Sequence, residues 1–381
     1  MKHPTSLFSQ MLSLIQRDRF NRLKRYWESD RNSKGFTSWN QLVSMLFCQL
    51  AQAKSLREIC GGLRTCVGKL NHLGVKDAPK RSTLSYANKN RPWELFSDMF
   101  YEMLDTVKQA APGKKRKFRF KNPLLSLDAT VIDLCEDVFD WARYGRTKGA
   151  VKVNLLLDHD GYLPVFAHIT EGKEHEINTA RMLELPKGAI VAMDRAYVDY
   201  SLFGKWTEAE VWFVTRAKKN MAYEVLESRR PPQNRNILKD EIIRLTGTEA
   251  RKACAAKLRR VVAWDPEGER EVVLLTNHLD FGASTISKIY RDRWEIETFF
   301  RTLKQNLKVK TFVGTSANAL RIQIWTALIA MLLIKYLQFQ SRRDWSLSTL
   351  VALLRWNLFT YRNLWRWIDD PFNTPPERGK Y

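Results

Sequence analysis

Through most of the first hundred residues, apolar side chains recur three and four positions apart, the spacing that lines one face of an α-helix. That rhythm predicts helices over residues 7–26, 39–53, 55–63 and 93–110. Ser38 and Ser55 stand where an N-cap hydroxyl is wanted. Between these segments the polar stretch Pro79, Lys80, Arg81, Ser82, Thr83 opens a further helix through Asn88. A helix, a short turn and a second helix opening on Arg and Ser or Thr is one way to fill a DNA major groove. An ordinary bundle with a charged face has the same pattern.

After the basic stretch at residues 112–117 the period shortens to that of strands. Residues 124–134 read as a central strand with Asp128 in its middle, and the loop at 141–149 leads to strands at 151–157 and 163–170. Asp158, His159, Asp160 and Gly161 supply the hairpin turn between those two strands, and His159 and Asp160 are expected to serve that turn only. A helix at 178–185, a wholly apolar strand at 189–193 ending on Asp194, a helix at 200–207 and a strand at 211–215 follow. Three strands with an antiparallel hairpin, then helix, strand, helix, strand is the order of an RNase H-like α/β core. Residues 220–277 leave that pattern, with strands expected only at 261–264 and 271–276, around the turn Asp265, Pro266, Glu267, Gly268. The helical rhythm returns at 284–307, 318–340 and 346–362.

The expected layout is an all-helical N-terminal DNA-binding domain (1–118), an RNase H-like catalytic core (119–219 and 281–340) interrupted by a β-rich insertion (220–280), and a helical C-terminal region (341–381). Charge adds a partner to this picture. Lys and Arg number 63 against 41 Asp and Glu, a formal net charge of +22 spread along the whole chain, so a polyanion such as nucleic acid is expected. Five cysteines are an odd number in a long chain without a secretory leader, which predicts reduced thiols and a cytoplasmic, nucleoid-associated protein. Cys60, Cys66 and His72 match no zinc spacing. The longest apolar stretch, residues 322–337, carries Gln323 and Lys335 and is expected to be a buried helix, with no membrane partner.

Three acids stand out by position. A charge inside an apolar strand is costly unless paired or metal-bound, so Asp128 needs a reason to be there. Asp194 closes a strand at its carboxyl end, where α/β folds build sites. On a helical wheel Tyr290, Arg293, Glu297 and Lys304 share an arc of about 60°, while Ile289, Ile296, Phe299, Leu303 and Leu307 cluster on a face about 110° away. Three carboxylates suit Mg2+ or Mn2+, and two such ions can clamp both oxygens of a displacement at phosphorus. A capping carboxylate at Asp128 and a salt-bridged surface helix remain the structural alternatives.

At these residues the chain resembles the insertion-sequence-four family of bacterial DDE transposases, whose Tyr-(2)-Arg-(3)-Glu-(6)-Lys signature is kept here as Tyr290, Arg293, Glu297 and Lys304. The contexts Leu127-Asp128-Ala129-Thr130 and Asp194-Arg195-Ala196-Tyr197 are similar to the family's. The resemblance implies that Asp128, Asp194 and Glu297 are the catalytic, metal-binding triad, holding Mg2+ or Mn2+ as two ions. It implies that Tyr290, Arg293 and Lys304 contact DNA phosphates, and that the partners are double-stranded DNA of the terminal inverted repeats and target DNA, bound by a homodimer. Cut-and-paste movement through hairpin ends is implied too, with Trp264 the candidate aromatic for a flipped base. An RNase H-like nuclease or resolvase that cuts without joining, and a catalytically silent DNA-binding repressor, are the competing readings; the presence of all three acids disfavours the repressor.

Overall fold

The computed structural model describes residues 5–31, 33–111, 117–134, 150–233, 236–309 and 311–377. Cys135, residues 112–116 and the loop expected at 141–149 lie outside them. In chain order the helices of the first part are α1 (Leu7–Leu12), α2 (Arg17–Tyr26), α3 (Ser38–Ala51), α4 (Leu56–Thr65), α5 (Arg81–Asn90) and α6 (Glu94–Ala110). Then come β1 (Leu124–Asp133), β2 (Ala150–Asp158), β3 (Leu163–Glu171), α7 (Glu176–Arg181), β4 (Ile190–Met193), α8 (Tyr200–Glu208) and β5 (Trp212–Arg216). The remainder is β6 (Tyr223–Arg229), β7 (Ile237–Leu245), α9 (Thr248–Ala253), β8 (Leu258–Asp265), β9 (Arg270–Thr276), α10 (Ala283–Asp292), α11 (Trp294–Asn306), α12 (Ala317–Gln340), α13 (Leu347–Asn357) and α14 (Leu364–Asp369).

Contacts divide the chain into two compact units: one of residues 1–113, 132–149 and 300–381, the other of 114–131 and 150–299. The first is helical. Its centre is α12, which is long and apolar enough to cross a membrane by length and composition, yet packs its apolar surface against α3, α5, α6 and α13. Gln323 survives in that apolar helix because its amide is satisfied: Nε2 donates to the carbonyls of Lys308 (2.6 Å) and Thr311 (2.8 Å). The helix expected over 7–26 is two helices, since residues 13–16 turn between α1 and α2. Ser38 is not the cap of α3; Thr37 is, its Oγ1 accepting from the Asn40 N–H, whereas Ser55 caps α4 as expected. The pattern at 346–362 ends at Asn357, and α14 follows without having been foreseen.

The second unit is a nine-stranded sheet in the order β3-β2-β1-β4-β5-β9-β8-β7-β6, with helices packed on it. β1, β4 and β5 are parallel, β2 pairs antiparallel with β3, and β9 joins β5 antiparallel to carry the sheet on through β8, β7 and β6. Residues 220–277 therefore carry four strands, β6 to β9, with the short helix α9 between β7 and β8, where the sequence pattern showed strands only at the end. Side chains alternate across the sheet. Leu125, Leu127, Val191, Met193 and Phe213 pack on one face with Phe203 and Trp206 of α8; Leu124, Ile190, Ala192 and Val214 pack on the other with Ile286 and Ile289 of α10.

Candidate active site

β1 and β4 set the first two acids side by side. In their parallel ladder Leu124 lies opposite Ile190 and Leu127 opposite Met193. The ladder ends there, and Asp128 and Asp194 are the next residue on each side, at the carboxyl end of the paired stretch. Both positions alternate with Leu127 and Met193, so they belong to the face that α10 covers. Asp194 also caps a short 3-10 turn at residues 195–197, accepting from the Arg195 N–H. Asp199, another acid in this stretch, is simply the N-cap of α8.

The third acid arrives through a break in the helix. The uninterrupted helix expected over 284–307 is α10 and α11, joined at Arg293. Around the joint the Arg293 N–H donates to the Tyr290 carbonyl (3.3 Å) and the Ile296 N–H to the Arg293 carbonyl (3.1 Å), tight i to i−3 bonds in place of α-helical ones. The Arg293 side chain is buried, with Nη1 3.3 Å from Asp128 Oδ2 and Nη2 2.9 Å from Glu297 Oε1. Arg293 is thus engaged with two carboxylates of the expected triad, and its Nε is a buried donor with no hydrogen-bond partner among the described residues.

A cleft of about 570 Å3 opens here, lined among others by Asp194, Arg216, Trp264, Tyr290, Arg293 and Glu297. Trp294, which sequence reasoning did not single out, also lines it and is 54% exposed. Lys304 belongs to the other compact unit, on the later turns of α11.

The electrostatics at Asp128 are those of a buried acid short of positive charge. Burial pushes the Asp128 carboxyl up to about 6; the Ala129 N–H and Arg293 pull it down, and Glu297 and Glu176 push it further up. Glu176, in the first turn of α7, is a contributor that the sequence did not flag; it pairs with Lys152 at 3.3 Å. The Tyr197 phenol is raised as well, by burial first and then by Glu176, Asp128 and Asp194, and its Oη is buried without a partner among the described residues. Among the described residues no three His, Cys, Asp or Glu side chains already form a metal-holding cluster. The donor chemistry nevertheless fits a hard divalent cation. Asp128, Asp194 and Glu297 offer only oxygen ligands, and a cation would relieve the buried charge that now leans on one guanidinium.

The expectation that His159 serves only its turn is corrected. His159 Nδ1 lies 2.7 Å from Asp292 Oδ2 and Nε2 lies 2.7 Å from Ser126 Oγ, while Lys117 also bonds Asp292. The Ser, His, Asp order resembles a hydrolase relay, but Ser126 is wholly buried and offers no nucleophile to a substrate. What the relay joins is β1, two residues before Asp128, to the end of α10, one residue before Arg293.

Comparison with known proteins fits this geometry. The family model described as the transposase DDE domain matches residues 119–333, and a model for a domain of unknown function matches residues 3–76. A relative in Sinorhizobium fredii that bears the transposase name y4zB is 30% identical over 263 residues, 68% of this chain and 71% of that one. A Geobacillus stearothermophilus relative, named as transposase for the insertion sequence element IS5377, is 27% identical over 70% of each chain. Among solved structures, the piggyBac transposase synaptic complex with hairpin DNA aligns at a TM-score of 0.41 and 10% identity, over 94% of this chain and 80% of that one, too distant to inform the site. With the matched domain covering more than half of its length, the chain belongs to the bacterial DDE transposases.

Proposed function

We propose that this transposase uses Asp128, Asp194 and Glu297 as the ligands of Mg2+ or Mn2+, cutting DNA at the ends of an insertion sequence and joining those ends to target DNA. The observation that carries the reading is that Asp128 and Asp194 directly follow the paired residues Leu127 and Met193, with Arg293 connecting Asp128 to Glu297. The strand order β3-β2-β1-β4-β5 supports an RNase H-like core. The intact spacing of Tyr290, Arg293, Glu297 and Lys304 supports membership of the insertion-sequence-four group.

When bound, the metal supplies Lewis acidity toward phosphate oxygens and a more acidic water. The chain's own residues do the rest. The three carboxylates hold the charge, Tyr290 and Lys304 contact phosphates, and Trp264 offers a stacking surface for a base displaced from a hairpin end. Moving an element requires two ends at once, which fits a homodimer on double-stranded DNA carrying the terminal inverted repeats.

The test is substitution of the acids in the full chain. Asp128→Ala, Asp194→Ala or Glu297→Ala should abolish cleavage in Mg2+ while end binding in a gel shift stays largely intact, because ligands are lost and cationic contacts are not. Binding lost in step with cleavage would remove these residues from the metal site. Joining of pre-cut ends by the unaltered protein separates a transposase from a nuclease that only cuts.

A further inference from the structure

A second basic pocket adjoins the cleft. About 210 Å3 in volume, it is lined by Arg195, Arg216, Lys218, Lys219, Tyr223 and Arg260, with Glu271 as its acid. Arg216 walls both this pocket and the cleft. Away from the hairpin end, where Trp264 of the cleft pairs with Glu271 of the pocket, the two openings use opposite faces of the sheet. Ala263, Val272 and Leu274 line the cleft, whereas Arg260 and Val273 line the pocket, and in the β8–β9 register these two sets alternate. The route between them rounds the carboxyl end of β5, where Arg216 ends the strand and Lys218 and Lys219 follow, exposed.

Most of this charge is uncommitted. Arg260 pairs with Glu241 at 2.7 Å and lies over the Tyr223 ring, but among the described residues Arg195, Arg216, Lys218 and Lys219 make no ion pair. Four unpaired cations in one hollow repel one another, at a cost that an anionic ligand would remove.

We propose that this pocket is a phosphate subsite for the same DNA that enters the cleft, gripping backbone phosphates where the strand passes around the end of β5. The assignment rests on the cleft being a DNA site. Lys218 and Lys219 supply point charges, Arg195 and Arg216 can each hold a phosphate bidentately, and Tyr223 gives an apolar wall beneath. Contacts of this kind position DNA and read no sequence.

The experiment compares two double variants of the full chain: Lys218→Ala with Lys219→Ala, and Lys187→Ala with Lys205→Ala. The second pair is exposed and away from the pocket, at the amino end of β4 and on α8, and removes the same net charge. Binding of a mixed-sequence duplex is followed by fluorescence anisotropy from low to moderate salt. Each phosphate contact contributes about 0.9 to the slope of log affinity against log salt, so the pocket variant should lose about 2 and the control almost none. Stoichiometry at low salt should stay at no more than one duplex per chain for every protein. Equal slopes for the two variants would reduce the pocket to part of a general field and overturn the assignment. Two duplexes per chain falling to one in the pocket variant would give the pocket to a separate DNA and overturn it too. Asp194→Asn is carried in parallel. If it still cleaves, the triad reading fails while the pocket result stands.

Discussion

The Arg293 guanidinium lies 3.3 Å from the Asp128 carboxylate, and its other terminal nitrogen holds Glu297 at 2.9 Å. One cation is therefore shared by two acids that come from a strand and from a helix. Replacing it with Met leaves both acids without that partner, and breaking a largely buried pair costs about 2–4 kcal/mol, the low side because Glu297 is partly exposed. Arg293→Met is expected to lower the urea midpoint in chelator, with Mg2+ restoring more stability to the variant than to the unaltered chain. If Mg2+ shifts both proteins equally, Arg293 and the metal do not serve the same charges.

Asp128 should make the metal-free protein less stable as the pH rises. Its carboxyl titrates at about 6 in the fold against 3.8 free, so the folded state binds the proton more tightly than the unfolded state. The sign follows: ionisation penalises the fold, with nothing lost below about pH 4 and the full penalty present above about pH 6. The two-unit difference is worth at most about 3 kcal/mol, and the figure already contains the attraction of Arg293. In chelator, Asp128→Asn is expected to raise the denaturation midpoint at pH 8 and to leave it unchanged at pH 4. A gain of the same size at both values would show that desolvation of the ionised carboxylate is not the cause.

His159 is expected to matter for stability far more than its turn position suggests. Burial pushes the Asp292 carboxyl up, but the bonds from His159 and Lys117 outweigh it and hold the group below its ordinary range. A depressed acid stabilises the fold above its free pKa, and that contribution is lost as the pH falls through the folded value. His159→Ala leaves Ser126 and one oxygen of Asp292 without a partner in the interior, a loss of about 2–4 kcal/mol. Urea melts should show the full deficit near neutrality and a smaller one in acid; a deficit independent of pH would mean that packing, not the Asp292 contact, carries it.

Gly204 of α8 is expected to tolerate no side chain. A Cβ there would stand 2.3 Å from the Ala253 carbonyl oxygen at the end of α9, a backbone atom that no rotamer change can move. Gly204→Ala should therefore destabilise the sheet unit by about 1–3 kcal/mol despite the better helix propensity of alanine. A neutral or stabilised melt would show that α8 and α9 separate freely.

The parts of this fold that were legible in the sequence are those with a one-dimensional period. β1, β4 and β5 are apolar runs, and their sequence along the chain, with Asp128 inside the first and Asp194 closing the second, is read from the chain alone. β6 was not legible because it is the sheet's edge: Glu224, Glu227, Ser228 and Arg229 give it little apolar alternation, and most of it is exposed. β7 was hidden by Lys239, Asp240 and Glu241. Asp240 is buried there only because Arg259 forms two 2.8 Å bonds with it from the next strand. The break at Arg293 was invisible for a related reason. At the break a guanidinium meets a carboxylate 165 residues earlier, a contact that helical periodicity does not record. The Ser126, His159, Asp292 relay likewise depends on contacts that only the folded chain brings together.

Trp264 and Trp294 lie on the same cleft as Asp194 and Glu297, 39% and 54% exposed. Arg293 lies 6.0 Å over the Trp294 ring, but much of each indole is left in water at the cleft wall, and every nucleobase presents a face that can stack on one. Stacking of this kind is worth about 1–3 kcal/mol per base, so Trp294→Ala or Trp264→Ala should weaken binding of a mixed-sequence single strand by roughly 5- to 150-fold. Neither substitution removes charge, so the dependence of affinity on salt should keep its slope, in contrast to the loss of a lysine. Anisotropy titrations at several salt concentrations separate the two effects. If either variant flattens the slope without lowering affinity at high salt, the tryptophan orders nearby cations and does not itself hold a base.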